Sequence, residues 1–583
     1  MEGNDSKRVL VTTLAASIAT HVWFKSFDPI SLQASLAVLS IIPTTLGYYF
    51  FSVQHVAPFF DLLWIYPTYY LAVLLSVCAY RLSPFHPLAK YPGPTILKIT
   101  KLYSVWVAYR GTYHVYIREL HRRYGPTIRT GPNELSTVEK GLIPLILGSQ
   151  GMPKGPIWDG RRFAQGGNSQ YDSVIDVRDA SIHAQVRRPW NKALGAEPIK
   201  DYESLLIERV TQLRDLLKAK CDETRDKIGK VNISQWISYF AFDFMGDLAF
   251  AGAVNYMKEG PGDGGMDAMN NAMYLISITQ HAPWISKLIR ATPILNRGMK
   301  NFIAYGIGRG VTRASAQIKH KDLFHHMTEA EEVTGPDSIP LIISNVLLAI
   351  VAGSDTTASV LSNAAYLLMS HPEKHRKLQR EIDAAFKEYQ ILEFDPLRTY
   401  DEMLSKLPYL NAVLYVLSSV GFFGEELMHN RNETLRLFPA VPTTIQRAPS
   451  KGTQGKMLQA ENVSIFLPEG NGIMVPPYTL HRDPRYFSPS PDSFIPERWL
   501  PTTDGTEYIT SRDAFIPFSV GPANCAGRAL ALVELRYVVA TLVRHFEMEF
   551  DIPAFKPERW EKELEDRFTF SKGALGTRLK WRG

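Results

Sequence analysis

At 583 residues, with 45% hydrophobic and 11% aromatic residues, the chain can bury a sizeable core, and a single large enzyme fold accommodates that length. A formal net charge of +6 is small for this size and argues against a nucleic-acid protein, in which a concentrated basic patch is expected. Three cysteines (Cys78, Cys221, Cys525) imply no disulfide framework and suit a reducing, cytosol-facing environment.

Three apolar stretches open the chain, at 9–24, 30–51 and 61–80. The first is short for a membrane span, and the other two approach the ~20 residues that a bilayer core requires. The third ends at Arg81 with aromatics near its boundaries, as membrane anchors do. No small-residue cleavage site follows 9–24 and more apolar segments do, so residues 1–82 read as an uncleaved anchor region of one to three spans. The prolines of 83–94 favour stiff, extended backbone, which predicts a semi-rigid hinge before a catalytic domain over 95–583. Lys90, Lys98 and Lys101 place positive charge beside that hinge, as expected for a cytosolic domain.

From 124 to 163 glycine and proline recur, including Met152-Pro153-Lys154-Gly155-Pro156, and predict a small sheet followed by a long loop. His183 and Arg187, four apart, share a helix face close to Trp190. Apolar spacing predicts helices over most of 201–320, with an interruption at 260–265. The aromatics and methionines there (Tyr239, Phe240, Phe242, Phe244, Met245, Met257, Met273, Tyr274) read as core at any given position.

The run 340–361 is apolar almost all round, which predicts a buried central helix. A glycine inside a helix costs about 1 kcal/mol relative to alanine, and a buried carboxylate needs a partner. Gly353, Asp355 and Thr356 therefore ask for a reason beyond packing, although Thr356 bonding back to a helix carbonyl and bending the helix is one structural account. Glu433 and Arg436 lie three apart, close enough to pair on a helix. Cys525 sits in the Gly/Pro-rich loop Phe518-Ser519-Val520-Gly521-Pro522-Ala523-Asn524-Cys525-Ala526-Gly527-Arg528, ahead of an apolar helix opening. Gly521 and Gly527 allow a tight turn and close approach to a flat object, and a thiolate at a helix N-terminus is favoured by the dipole and free N–H groups.

That loop resembles the cysteine-ligand loop of the cytochrome P450 superfamily, F-x-x-G-x-[R/H]-x-C-x-G, at Phe518, Gly521, Cys525 and Gly527. Ala523 departs, standing where the family usually places a basic residue that pairs with a haem propionate. The resemblance implies a mainly α fold with a small β region, preceded by N-terminal transmembrane segments, and haem b with Cys525 as its axial iron ligand. It implies that Ala352 and Gly353 make room for dioxygen, that Asp355 and Thr356 relay protons to it, and that His183, Arg187 and Trp190 bind propionates. Arg447 is a further propionate candidate that could offset Ala523, and Glu433, Arg436 and Arg498 match the family's structural triad. The resemblance also implies electrons from an NADPH-cytochrome P450 reductase, with cytochrome b5 as an additional donor. The partners expected with it are a lipophilic small-molecule substrate and the endoplasmic reticulum membrane, with the catalytic domain facing the cytosol.

Two departures keep rival readings open. The family pattern runs from Leu407 to Leu414 and continues at Asn432, yet seventeen residues, 415–431, intervene inside what should be one helix. Their length and the codons available at both ends suit a retained intron, with an adaptive loop as the alternative. A reductase-independent haem-thiolate isomerase or dehydratase, and an inactive haem-binding paralogue or mis-spliced gene product, stand beside the monooxygenase reading.

Overall fold

The computed structural model describes residues 2–27, 32–53, 63–162, 173–252, 254–317, 320–331, 339–414, 432–501 and 505–583; the intervening 415–431 lies outside them. The chain opens with helices α1 (Glu2–Ser26), α2 (Leu32–Tyr48) and α3 (Ile65–Leu82). Among the described residues two helices are long and apolar enough to cross a bilayer: Gln33–Ser52, largely exposed, and Asn345–Ser370, which is buried in the core. Helices α1 and α3 instead hold each other through polar groups, Ser17 Oγ donating to Tyr69 O at 3.2 Å and His21 Nδ1 meeting Ser76 Oγ at 2.7 Å.

The hinge differs from the extended spacer predicted for it. Residues 83–94 fold into successive turns, with His86, Leu88 and Tyr91 buried. The reason is a docking partner: the fully buried Arg129 donates from Nη1 to Arg81 O at 3.0 Å, and its backbone N–H donates to Pro92 O at 2.7 Å. Gly93 is required there, because a Cβ would lie 2.3 Å from Arg129 O and its φ is +155°.

The predicted small sheet has four strands in the order β1 (Thr127–Gly131), β2 (Glu134–Thr137), β5 (Gly472–Val475), β4 (Ile445–Arg447). Strands β2 and β5 are parallel and the other pairs antiparallel. A second sheet joins β3 (Ile228–Asn232), β9 (Gly576–Trp581) and β6 (Phe546–Phe550), and β7 (Glu565–Arg567) pairs with β8 (Thr569–Ser571).

Helices supply the rest: α4 (Ala180–Ala193), α5 (Ala196–Asp222), α6 (Ile233–Phe250), α7 (Gly265–Thr279), and the central helix, α8 (Ile339–Ile350) continued by α9 (Thr356–Ser370). Between α8 and α9 the residues Val351–Asp355 form a π-helical turn, an insertion into the helical ladder that frequently marks a functional site. Its neighbour explains the glycine: a Cβ at Gly353 would stand 2.1 Å from Met245 Sδ on α6.

Helix α11 (Glu433–Leu437) follows α10 (Pro408–Leu414) across the undescribed segment, and Glu433 is not displaced. Its carboxylate takes two bonds from Arg436 (2.7 and 2.8 Å), one from Arg498 Nε (3.0 Å) and one from Trp499 Nε1 (2.9 Å). Burial works to raise the Glu433 pKa, but the two guanidinium groups and the Ile495 N–H outweigh it and hold the carboxyl below its ordinary range.

Candidate active site

Backbone constraints shape the Cys525 loop. Cys525 N donates to Phe518 O at 2.9 Å and Asn524 N to Gly521 O at 3.1 Å, so the chain doubles back between Phe518 and Cys525. Gly521 has φ +75° and a Cβ there would lie 2.1 Å from Leu147 O, which only glycine escapes. Gly527 is different. Its φ of −81° is ordinary, and a Cβ would meet nothing within 4 Å because it would project into a cavity that Gly527 lines. Helix α12 (Arg528–His545) begins immediately afterwards. Cys525 is exposed and lines that cavity. Burial raises its pKa, opposed by the Gly527 N–H and the charges of Arg187 and Arg528.

Ala352, Gly353 and Thr356 line the same cavity from the π-helical turn, and Met245 and Met273 line it from α6 and α7. Those two methionines belong to the group read from sequence as core. Thr356 Oγ1 donates to Ala352 O at 2.6 Å, so the helix-bending bond is made. Asp355 lies outside the lining; its carboxylate accepts from Thr569 Oγ1 on β8, and it opposes the burial that lowers the Lys572 pKa.

The remaining wall is cationic. Lys154, Arg161, His183, Arg187 and Arg447 line it together with the carboxylate of Asp176, all buried. Arg187 is tied to the cysteine loop, Nη1 donating to Asn524 O at 2.6 Å and Nη2 to Asn524 Oδ1 at 3.0 Å, while Nε donates to Asn191 Oδ1 at 2.7 Å. Trp190 also lines the cavity, but its indole N–H donates to Asn345 Oδ1 on α8 at 2.9 Å. His183 is pushed down to about 4 by burial and then by the charges of Lys154, Arg187 and Arg447, so its imidazole is neutral.

Of the residues singled out from sequence, Ala352, Gly353, Thr356, His183, Arg187, Trp190, Arg447, Phe518, Cys525 and Gly527 line one cavity; Asp355 and Gly521 do not, and Glu433, Arg436 and Arg498 brace the fold away from it. It missed Lys154, Met245, Asn524 and Thr569 as contributors. Lys154 stood in a conspicuous Gly/Pro run, but only strand pairing reveals that it meets Arg447; nothing local marked Thr569.

The residues fit a flat, dianionic, metal-bearing group. A thiol faces the cavity, a missing side chain at Gly527 leaves room beside it, and buried cations on one wall have no carboxylate partner among the described residues. Fold and site together define a class, a mainly helical protein in which a cysteine loop and a kinked core helix share one cavity, as haem-thiolate enzymes require. The family described as Cytochrome P450 matches residues 92–564, and the chain belongs to it, an oxidoreductase of the monooxygenase type. The chain is 31% identical over 521 residues to "Cytochrome P450 monooxygenase orf5" of Eupenicillium brefeldianum, covering 87% of this chain and 94% of that protein. It is 31% identical over 480 residues to "Cytochrome P450 monooxygenase FCK2" of Fusarium pseudograminearum (81% and 78% covered). Identity to "Tryprostatin B 6-hydroxylase" of Aspergillus fumigatus is 29% over 511 residues (86% and 82% covered).

Proposed function

We propose that the protein is a membrane-anchored haem-thiolate monooxygenase of fungal secondary metabolism that hydroxylates or epoxidises a lipophilic small molecule. The observation that carries this reading is that Cys525 and Ala352, Gly353 and Thr356 of the kinked helix line one cavity, largely apolar elsewhere and with buried cations on one side. Haem b, held by the Cys525 thiolate, supplies activation of dioxygen and transfer of one oxygen atom. The chain's own residues do the rest. Gly527 N–H, Arg187 and Arg528 favour the thiolate form of Cys525 against burial. Met245, Met273 and Leu348 keep water from the substrate's side of the cavity. Asp355, held by Thr569, would supply a proton to Thr356 Oγ1 as that hydroxyl turns from Ala352 O and gives its own proton into the cavity. Electrons arrive from an NADPH-dependent reductase docking near Arg528, and the exposed apolar helix over Gln33–Ser52 anchors the chain in the endoplasmic reticulum with the catalytic domain facing the cytosol.

The test is a reduced carbon monoxide difference spectrum followed by NADPH- and oxygen-dependent turnover of a lipophilic compound panel. Lack of the family's red-shifted band would remove the haem-thiolate reading. An intact band with turnover independent of NADPH and oxygen would favour an isomerase or dehydratase.

A further inference from the structure

Helix α1 is inside out for a helix in water. Its almost completely enclosed side chains are Thr13, Ser17 and Thr20, whereas Leu10, Val11, Leu14, Ile18 and Val22 are exposed. On α3 the enclosed Tyr69 turns to that polar seam, while Leu71, Leu74 and Leu75 are exposed. A helix on an aqueous surface buries its apolar stripe and shows its polar one. Hydroxyl groups bonding across a helix pair that is sheathed in aliphatic side chains suit hydrocarbon surroundings instead. The seam residues lower the average hydropathy of α1 without meeting its surroundings.

The seam also fixes direction. Ser17 bonds to the Tyr69 carbonyl, Thr20 Oγ1 lies 2.8 Å from Tyr69 Oη, His21 Nδ1 2.7 Å from Ser76 Oγ, and Lys25 Nζ 4.0 Å from the Tyr80 ring centroid. Residue numbers rise together along both helices, so α1 and α3 run parallel. Helix α2 runs the other way: Thr44 Oγ1 lies 3.0 Å from Tyr66 Oη, and Tyr70 Oη donates to Leu39 O at 3.1 Å. The 25 residues of α1 and the 18 of α3 reach about 37 and 27 Å at ~1.5 Å per residue, against a hydrocarbon core of about 30 Å. No Asp, Glu, Lys or Arg falls between Arg8 and Lys25, between Asp28 and Asp61, or between Asp61 and Arg81. Lys25 and Arg81 close the last turns of α1 and α3 at one shared end, where Lys90, Lys98 and Lys101 follow; the opposite end has Lys7 and Arg8. That bias puts the shared end on the cytosolic side.

We propose that all three helices cross the bilayer as one bundle, α1 and α3 in the same direction and α2 in return. Phe27 then lies on the side of the catalytic domain, and Ser6 and Leu63 lie on the far side. The proposal rests on the membrane-anchored reading above and goes beyond it by assigning every crossing. With α2 as the sole span, Phe27 and Leu63 would exchange sides.

The experiment expresses the full chain in yeast and treats sealed microsomes with a membrane-impermeant maleimide, counting label above the wild-type signal. Phe27→Cys is expected to react in sealed vesicles, and Ser6→Cys and Leu63→Cys only after detergent opens them. Any other pattern overturns the proposal: Leu63→Cys reacting in sealed vesicles removes α3 as a span, and Ser6→Cys doing so removes α1. A second measurement does not depend on thiol reactivity. An N-glycosylation acceptor on a Gly/Ser spacer, inserted after residue 58, is expected to be modified, and an unmodified chain overturns the proposal. Release of the wild-type chain by alkaline carbonate would sink the anchored reading and this proposal together, whereas a chain that stays in the membrane with a different labelling pattern sinks this proposal alone.

Discussion

Thr434 Oγ1 donates to Val413 O at 2.9 Å, although the two residues are 21 positions apart. In a continuous helix a threonine makes this bond to the carbonyl four residues before it, as Thr356 does to Ala352. Removing the seventeen residues 415–431 would leave Val413 and Thr434 four apart, so the flanking helices already stand in the register of one helix. Deleting 415–431 is expected to preserve haem binding and to raise stability by on the order of 2 kcal/mol through lost loop-closure entropy. Thermal unfolding of the deleted and full-length proteins measures this, and a lower melting temperature on deletion would refute it. Sequencing the transcript asks the parallel question: the expected spliced message lacks these codons.

The Glu433 carboxylate pairs with two buried guanidinium groups. Glu433→Gln leaves both uncompensated and should cost about 3–5 kcal/mol, enough to prevent accumulation of folded protein. Because the folded-state pKa of Glu433 is depressed, its contribution is fully present above the ordinary carboxylate pKa of about 4.3 and is lost as pH falls through the folded value. Acid unfolding followed by circular dichroism should therefore show a transition that Glu433→Gln, if recovered, lacks.

Lys154 is pushed down to about 7 by burial, then by the charge of Arg447, with Asp176 opposing and Arg187 and Arg161 adding to the depression. A propionate would favour the charged ammonium and return the pKa upward. Haem binding should consequently take up a proton between pH 7 and 10, and affinity should fall as pH rises through that window. His183, near 4, does not titrate there. Calorimetry in buffers of different ionisation enthalpy measures the uptake, which Lys154→Met should abolish.

Thr569→Val removes the hydroxyl that holds the Asp355 carboxylate while leaving its volume. Slower protonation should release more peroxide per NADPH consumed, with product formation falling about 10-fold, the low end of what a positioned proton donor contributes. An unchanged ratio of peroxide to NADPH would remove Thr569 from the relay.

Gly353→Ala drives a methyl into Met245 Sδ, 2.1 Å away, and overpacking of this kind costs about 1–3 kcal/mol. Adding Met245→Ala should recover most of the loss in chemical denaturation. If the double variant is no better than Gly353→Ala alone, the glycine serves the cavity and not the packing of α6.

Much of this architecture was legible because chemistry forces local irregularity. A glycine and a carboxylate in an otherwise apolar helix, and a cysteine among glycines and prolines, violate ordinary packing preferences and so stand out. Gly353 was noticed for that reason, but its reason was half hidden: the atom it accommodates, Met245 Sδ, lies over one hundred residues earlier. Lys154 was invisible for a related cause. A lone lysine in a loop carries no periodic signal, and its meaning arises only when the strand pairing sets it against Arg447. The hinge misled in the opposite direction, since proline density describes intrinsic stiffness but not whether a surface waits to receive the segment.

Arg129 gives that docked hinge a practical meaning for anyone trimming the chain at its N-terminal side. Its guanidinium is almost completely enclosed and has no carboxylate partner among the described residues; the carbonyls of Arg81, Gly131 and Pro132 are what make its burial tolerable. A cut at residue 95 would strip away Arg81 and Pro92 together with the buried Leu88, opening a hydrophobic slot beside a half-solvated charge. A cut made ahead of Arg81 keeps that lock closed, so the natural edge of the folded body lies at the end of α3, before the prolines begin.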